Sequence, residues 1–255
     1  MPELPEVEMM ADLAREVGLG RELVKIETLD PRVWGGKNPL TGLGRIQAVW
    51  RRAKLLILED SQTALLIHFR MTGQLIRKQD GRRTRLRFLF VDGGHLVLVD
   101  SRCLGTVEAC SLDELQVRLQ GLGDEFWPGP QSGVWWSNRM GAGGIKAAML
   151  RQNRVVGIGN IAASEILWMA KISPTVRCAE LNLGAWERFA EAAEDHVADS
   201  LGREDGDSLR YLKAGGDNPF LVYGRENQPC PRCQSPIRRR VQQARSTFYC
   251  EQCQA

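Results

Sequence analysis

The sequence predicts an α+β protein: an N-terminal β-sandwich with one attached helix, a helical second half, and a small terminal β-hairpin unit. Three observations lead there. An amphipathic start gives way to about six short alternating or apolar runs, helical periodicity returns after Ser111, and the last thirty residues hold two close pairs of cysteines.

Each element has its own signal. Residues 3–17 place Val7, Met10, Leu13, Ala14 and Val17 at three-to-four spacing, with Gly18 as the stop. The period then shortens: 23–29, 46–50, 55–59, 64–69, 85–91 and 95–100 read as strands, separated by turn residues such as Asp92-Gly93-Gly94. Residues 121–144 are rich in Gly, Trp and Pro and show no period, which suggests an interdomain linker. Helical patterns fill 145–214, most clearly at 162–169 and 185–201. Internal repeats and low-complexity tracts are absent.

Composition bounds the class. At 43% hydrophobic and 25% charged, the 255 residues are those of an ordinary globular protein. No apolar run reaches the ~18 residues that span a bilayer, so no membrane partner is expected. The start, Met1-Pro2-Glu3-Leu4-Pro5-Glu6, lacks the basic-then-apolar layout of a secretion signal, and a cytoplasmic location is the expectation. Of seven cysteines, Cys103, Cys110 and Cys178 are scattered singly, which does not suggest a disulfide framework. The net charge of +3 names no partner, but its distribution is informative. Arg51, Arg52 and Lys54 form one basic knot; Arg82, Arg83, Arg85 and Arg87 a second; Arg232, Arg238, Arg239, Arg240 and Arg245 a third, while 180–207 is acidic. Segregated basic clusters are the footprint of a nucleic-acid face; a solvated surface is the alternative for any one of them.

Cys230-Pro231-Arg232-Cys233 and Cys250-Glu251-Gln252-Cys253 enclose sixteen residues, giving C-x2-C-x16-C-x2-C. Four thiolates at that spacing suit one tetrahedral Zn²⁺, and a closed four-sulfur site is structural rather than catalytic. So short a unit needs its metal in order to fold. Residues 237–241 and 245–249 between the pairs read as a hairpin carrying arginines, suited to phosphate contact.

Pro2-Glu3-Leu4-Pro5-Glu6-Val7 is, taken alone, a well-made helix start, with proline in the first turn and acids at its positive end. It is followed in order by Arg51-Arg52-Ala53-Lys54, by Ile67-His68-Phe69-Arg70-Met71-Thr72-Gly73, by Gly157-Ile158-Gly159-Asn160-Ile161 and by the four-cysteine tail. This series resembles the formamidopyrimidine-DNA glycosylase/endonuclease VIII family over nearly the whole chain, and its PELPEV start resembles the formamidopyrimidine-DNA glycosylase branch. The resemblance implies a catalytic β-sandwich over 1–128, a linker over 129–144, a helix–two-turn–helix DNA-binding domain over 145–225 and a zinc finger over 226–255. It also implies a monomer acting on double-stranded DNA that contains damaged bases or abasic sites, in base excision repair.

The chemistry can be built from the residues as well. Removal of Met1 exposes the secondary amine of Pro2, whose pKa starts near ~7.7–8.0 and is lowered by the helix N-terminus. Such an amine can attack C1′ of a damaged nucleotide and form an iminium ion, an electron sink for β- and then δ-elimination. A chain that retained Met1 would have only an amide nitrogen there. Glu3 is the adjoining acid/base, or a dipole partner only. Lys54 reads as a strand residue; the resemblance makes it a holder of the phosphate beside the lesion. It also implies that Met71, Arg102 and Leu104 fill the gap left by an everted base, although Met71 alone reads equally well as core. Lys146, Asn160 and Arg245 are implied phosphate contacts, and Gly157–Asn160 could seat a phosphate at a helix start.

The departures from the family pattern also carry expectations. Leu104 stands where a phenylalanine is usual and Cys103 where an arginine is, which puts reading of the opposite base in doubt. Only ten residues, 213–222, stand between Leu212 and Tyr223, where relatives carry a longer loop closing over 8-oxoguanine. Formamidopyrimidines, oxidised pyrimidines or hydantoins are therefore expected to be better substrates than 8-oxoguanine. A damaged-DNA-binding member with weakened catalysis is the alternative.

Overall fold

The computed structural model describes residues 1–36, 43–78, 81–203, 209 and 218–254. The chain forms two compact units, Met1–Gly121 with Leu201–Ala214, and Leu122–Ser200 with Gly215–Ala255.

In the first unit, helix α1 (Leu4–Gly18) precedes eight strands among the described residues: β1 (Leu23–Thr28), β2 (Ala48–Arg52), β3 (Leu55–Glu59), β4 (Thr63–His68), β5 (Gly73–Ile76), β6 (Thr84–Phe90), β7 (His95–Asp100) and β8 (Thr106–Ser111). They make two four-stranded antiparallel sheets, ordered β1-β6-β7-β5 and β2-β3-β4-β8. One core joins both sheets and the helix: Val7, Met10 and Val17 from α1, Phe88 and Leu98 from one sheet, Leu56, Leu65 and Ile67 from the other. Burial of this apolar surface is the main force holding α1 to the sandwich. Gly18 ends the helix where a side chain would collide with Phe90, 2.9 Å from its ring.

The sequence undercounted the strands. β5 is four residues long, and β8 buries only Val107 and Cys110, so neither shows an alternating run. The unbroken apolar run in β4 has a structural cause. Leu65 and Ile67 face the main core, whereas Ala64 and Leu66 join Leu115 of α2 (Leu112–Leu119) on the other face.

The second unit contains α3 (Gly133–Met140), α4 (Ile145–Met149), α5 (Asn160–Met169), α6 (Leu183–Arg203) and the hairpin β9 (Arg238–Gln242) and β10 (Arg245–Tyr249). Half of the linker expected at 129–144 is instead helix α3. Ser132 caps the helix by accepting from the Trp135 N–H. Trp136 is fully buried against Trp135, Phe126 and Phe189, with ring centroids 5.0, 5.3 and 4.9 Å away. The tryptophans that broke the pattern are core residues. The hairpin turns through Gln243 and Ala244, both left-handed, and β10 packs on α5. Among the described residues no helix is long and apolar enough to cross a membrane.

Candidate active site

Helix α1 begins at a buried corner. Pro2 is buried and Glu3, the N-cap, is 2% exposed. The Glu3 N–H donates to Glu6 Oε2 at 2.7 Å, and the Glu3 carbonyl accepts from Val7 N at 3.1 Å, opening the first turn. Burial holds the terminal amine of Met1 below its ordinary value; Glu3 and Glu6 oppose that, and Lys54 adds to it. Burial, followed by the charge of Glu3, pushes the Glu6 carboxyl up to about 7. Two acids and a lysine thus act on one amino terminus in a desolvated corner. Sequence reasoning missed Glu6, although its place three residues after Glu3 was a visible signal.

Lys54 is not on a strand, as expected, but in the turn from β2 to β3, after Ala53 at φ +56°. His68, at the end of β4, lies within reach of the same charges. Burial, then Arg70 and Lys54, lower it to about 4. Its Nδ1 accepts the Arg70 N–H at 3.0 Å, so the neutral ring carries its proton on Nε2. No role for His68 was read from the sequence, although it lies inside the Ile67–Gly73 motif.

Met71 is 40% and Leu104 43% exposed, and Arg102 is exposed too. The core alternative for Met71 is therefore set aside. One buried carboxylate organises both loops. Asp100 accepts from the N–H groups of Arg102, Leu104 and Gly105 at 3.1, 2.8 and 2.8 Å, and from the Thr72 hydroxyl beside Met71. Cys103 has φ +50°, and its Sγ lies 3.5 Å from Asp30 Oδ2.

The basic knots are less free than their sequence suggests. Arg51 is buried and ion-paired with Glu8 at 2.8 Å; Arg85 pairs with Asp30 at 2.9 Å and Arg87 with Glu27 at 3.2 Å. The Arg82 side chain lies outside the described residues. In the third knot, Arg232 stacks 4.1 Å over Trp168, whereas Arg240 and Arg245 are exposed.

In the second unit, Gly157 turns at φ +92° and Gly159 is the N-cap of α5. Lys146 is not the exposed cation expected of a phosphate contact. It is 2% exposed, and its Nζ donates to Thr247 Oγ1 at 2.6 Å and the Ser246 carbonyl at 3.1 Å. Asn160 Nδ2 donates to that same carbonyl at 2.9 Å. Both side chains therefore bind the hairpin. Glu165, which the sequence reading passed over, is 1% exposed on α5 and accepts the N–H groups of Leu221, Val222 and Tyr223 at 2.7, 2.9 and 2.9 Å. It anchors the end of the short 213–222 loop, whose residues 213–217 lie outside the described residues.

The Sγ atoms of Cys230, Cys233, Cys250 and Cys253 all lie within 4.8 Å of one another, with Cys230–Cys253 at 3.9 Å and Cys233–Cys250 at 3.4 Å. A tetrahedron with ~2.3 Å zinc–sulfur bonds has edges of about 3.8 Å, so the donor set fits zinc. Trp168 Nε1 and the Arg232 N–H each donate to Cys230 Sγ at 3.4 Å, orienting that ligand.

Three family models match the chain: the formamidopyrimidine-DNA glycosylase N-terminal domain over residues 1–107, the formamidopyrimidine-DNA glycosylase H2TH domain over 135–210, and the zinc finger found in FPG and IleRS over 227–255. The formamidopyrimidine-DNA glycosylase of Chloroflexus aggregans is 36% identical, covering 100% of this chain and 98% of its own. The chain belongs to the formamidopyrimidine-DNA glycosylase family. That of Cupriavidus pinatubonensis is 34% identical over the whole of both chains. Among solved structures, the Lactococcus lactis Fpg complex with abasic-site DNA has a TM-score of 0.83 at 28% identity, covering 99% of each chain. A MutM complex with carbocyclic 8-oxo-G DNA also scores 0.83, at 29% identity. As a formamidopyrimidine-DNA glycosylase family member, the chain is a DNA-repair glycosylase whose finger cysteines suit one structural zinc ion.

Proposed function

We propose that the chain is a bifunctional DNA glycosylase/AP lyase that uses the amine of Pro2 after removal of Met1. The observation that carries this reading is the buried corner at the start of α1: Pro2 and Glu3 are both buried, and the terminal amine of Met1 is lowered there by burial, with Glu3, Glu6 and Lys54 close enough to act on it. Burial and a neighbouring cation both disfavour the charged form of an amine placed there, which favours nucleophilic attack.

The Pro2 nitrogen attacks C1′, forming a C–N bond as the glycosidic bond breaks; the base leaves with the electron pair and takes up the proton that the nitrogen gives up. Glu3 supplies a proton to the sugar ring oxygen. The ring-opened iminium makes a 2′ proton acidic; its removal expels the 3′ phosphate, and a second elimination expels the 5′ phosphate. Lys54 and the Nε2–H of His68 hold a phosphate near the sugar in this reading, supported by the effect of the Lys54 charge on His68. Met71, Arg102 and Leu104 enter the gap left by the base, an apolar wedge with one charge. Asn160 and Arg245 belong to the phosphate-holding side, and Lys146 supports it by fixing the hairpin. The four finger cysteines hold the structural zinc.

The partner is duplex DNA carrying a damaged base or an abasic site. Related proteins have been solved with abasic-site, Fapy-dG and oxidised-pyrimidine DNA. The short 213–222 loop supports a preference for ring-opened purines, oxidised pyrimidines or hydantoins over 8-oxoguanine.

Borohydride trapping on abasic-site DNA tests the chemistry. A covalent adduct is expected from protein lacking Met1 and none once its terminal amine is acetylated; tight binding without an adduct would mean a damage reader instead. A panel of lesions against all four opposite bases tests the preference, and 8-oxoguanine opposite cytosine cut as fast as formamidopyrimidine would refute it.

A further inference from the structure

Arg51 belongs to the first basic knot, yet its side chain is only 3% exposed. Its Nε donates to Glu8 Oε2 at 2.8 Å, and its Nη1 donates to the Ala53 carbonyl at 3.0 Å. The other Glu8 oxygen accepts from Arg15 Nη2 at 2.9 Å, and Arg15 Nε donates to the Val49 carbonyl of β2 at 2.9 Å. One carboxylate in the second turn of α1 therefore laces the helix to β2 through two arginines. The lacing ends on the carbonyl of the residue just before Lys54.

That end point matters because Ala53 sits at φ +56° in the two-residue turn closed by the Arg52–Leu55 pairing, a backbone conformation that costs an alanine energy. Arg51 adds a restraint on that turn from the side of α1. A buried ion pair is also a poor choice if stability alone is at stake, since apolar side chains of similar volume often serve as well. What an apolar pair cannot do is hold a carbonyl at a set distance from α1. The helix carries Pro2, Glu3 and Glu6 at its start, and the turn carries Lys54.

We propose that Glu8 and Arg51 are positioning residues that hold the Arg52-Ala53-Lys54 turn so that the Lys54 ammonium stays beside the N-terminal amine through the reaction. The inference rests on the role given to Lys54 above. It concerns a pair whose side chains are buried, 3% and 11% exposed.

The test is single-turnover scission at an abasic site, with DNA affinity measured alongside, in the Met1-free full-length protein. Arg51→Lys keeps the charge beside Glu8 but replaces two guanidinium nitrogens by one ammonium, and Glu8→Met with Arg51→Met replaces the pair by apolar volume. Both are expected to fold, judged by circular dichroism, and to cut about 10- to 100-fold more slowly with affinity changed less than about threefold. Adding Arg51→Lys to Lys54→Gln should cost no more than about threefold beyond Lys54→Gln alone, because the two act as one unit. Losses that multiply, or a wild-type rate from either folded pair variant, overturn the proposal. Normal cutting by Lys54→Gln would instead sink the role of Lys54, and this inference with it.

Discussion

Glu6 shows how one side chain changes meaning between sequence and structure. Three residues after an N-cap, a glutamate looks like an ordinary partner for the positive end of a helix. Buried beside Glu3, it becomes a carboxyl that holds its proton up to about pH 7. Because its folded value lies above its ordinary 4.5, the stability it contributes is complete below that pH and is lost as pH rises through 7. His68 behaves oppositely: its folded value of about 4 means stability present above its ordinary 6.5 and lost as pH falls through 4. Glu6→Gln should therefore melt lower than the parent, or level with it, at pH 5.5 and gain on it steadily toward pH 8. A difference in melting temperature that stays flat across that range would count against the buried acid. The helix start at Pro2 and Glu3 was legible because its motif is contiguous, whereas the turn that carries Lys54 read as strand. Lys146 was not legible, since nothing in Gly144-Ile145-Lys146 tells a buried ammonium from a surface one.

At the scale of elements, legibility followed how each segment is covered. Helix α1 and β6 declare themselves by one buried face, and β3, β4 and β7 by short continuous apolar runs. Helix α3 does not, because its eight residues hold two adjacent tryptophans and its neighbours are Gly and Pro. The segment around Phe220 has no period at all and is fixed from outside, by the Glu165 carboxylate on α5. Hydrogen bonds to a charged acceptor contribute about 1.5–3 kcal/mol each, with sums that fall short of additivity. Glu165→Gln keeps the shape and removes the charge, and about 2 kcal/mol of stability should go with it in urea titrations. Amide hydrogen exchange at 221–223 should accelerate in step; unchanged protection there would show that the carboxylate is not the anchor.

For the whole molecule, the sequence conveyed the order of parts and the four-cysteine finger, but it overstated how much positive charge is free. Glu8, Asp30 and Glu27 neutralise arginines that looked like a DNA-facing surface. On the proposed reading, the exposed Arg240 and Arg245 of the finger hairpin carry more of the phosphate contact. Arg245→Ala should weaken binding about equally on all duplex sequences, and should flatten the slope of log affinity against log salt by about 1. An unchanged slope would place Arg245 away from the phosphates. The Ser246 carbonyl, shared by Lys146 and Asn160, has a wider consequence. The finger is not an appendage on a tether: its backbone is the inner lining against which a helical lysine is desolvated. Stripping the metal with a chelator should thus loosen α4 and the start of α5 as well as the hairpin, while the sandwich keeps its near-ultraviolet signature. Isotope labelling that found only the hairpin softened would show the fastening to be ornamental.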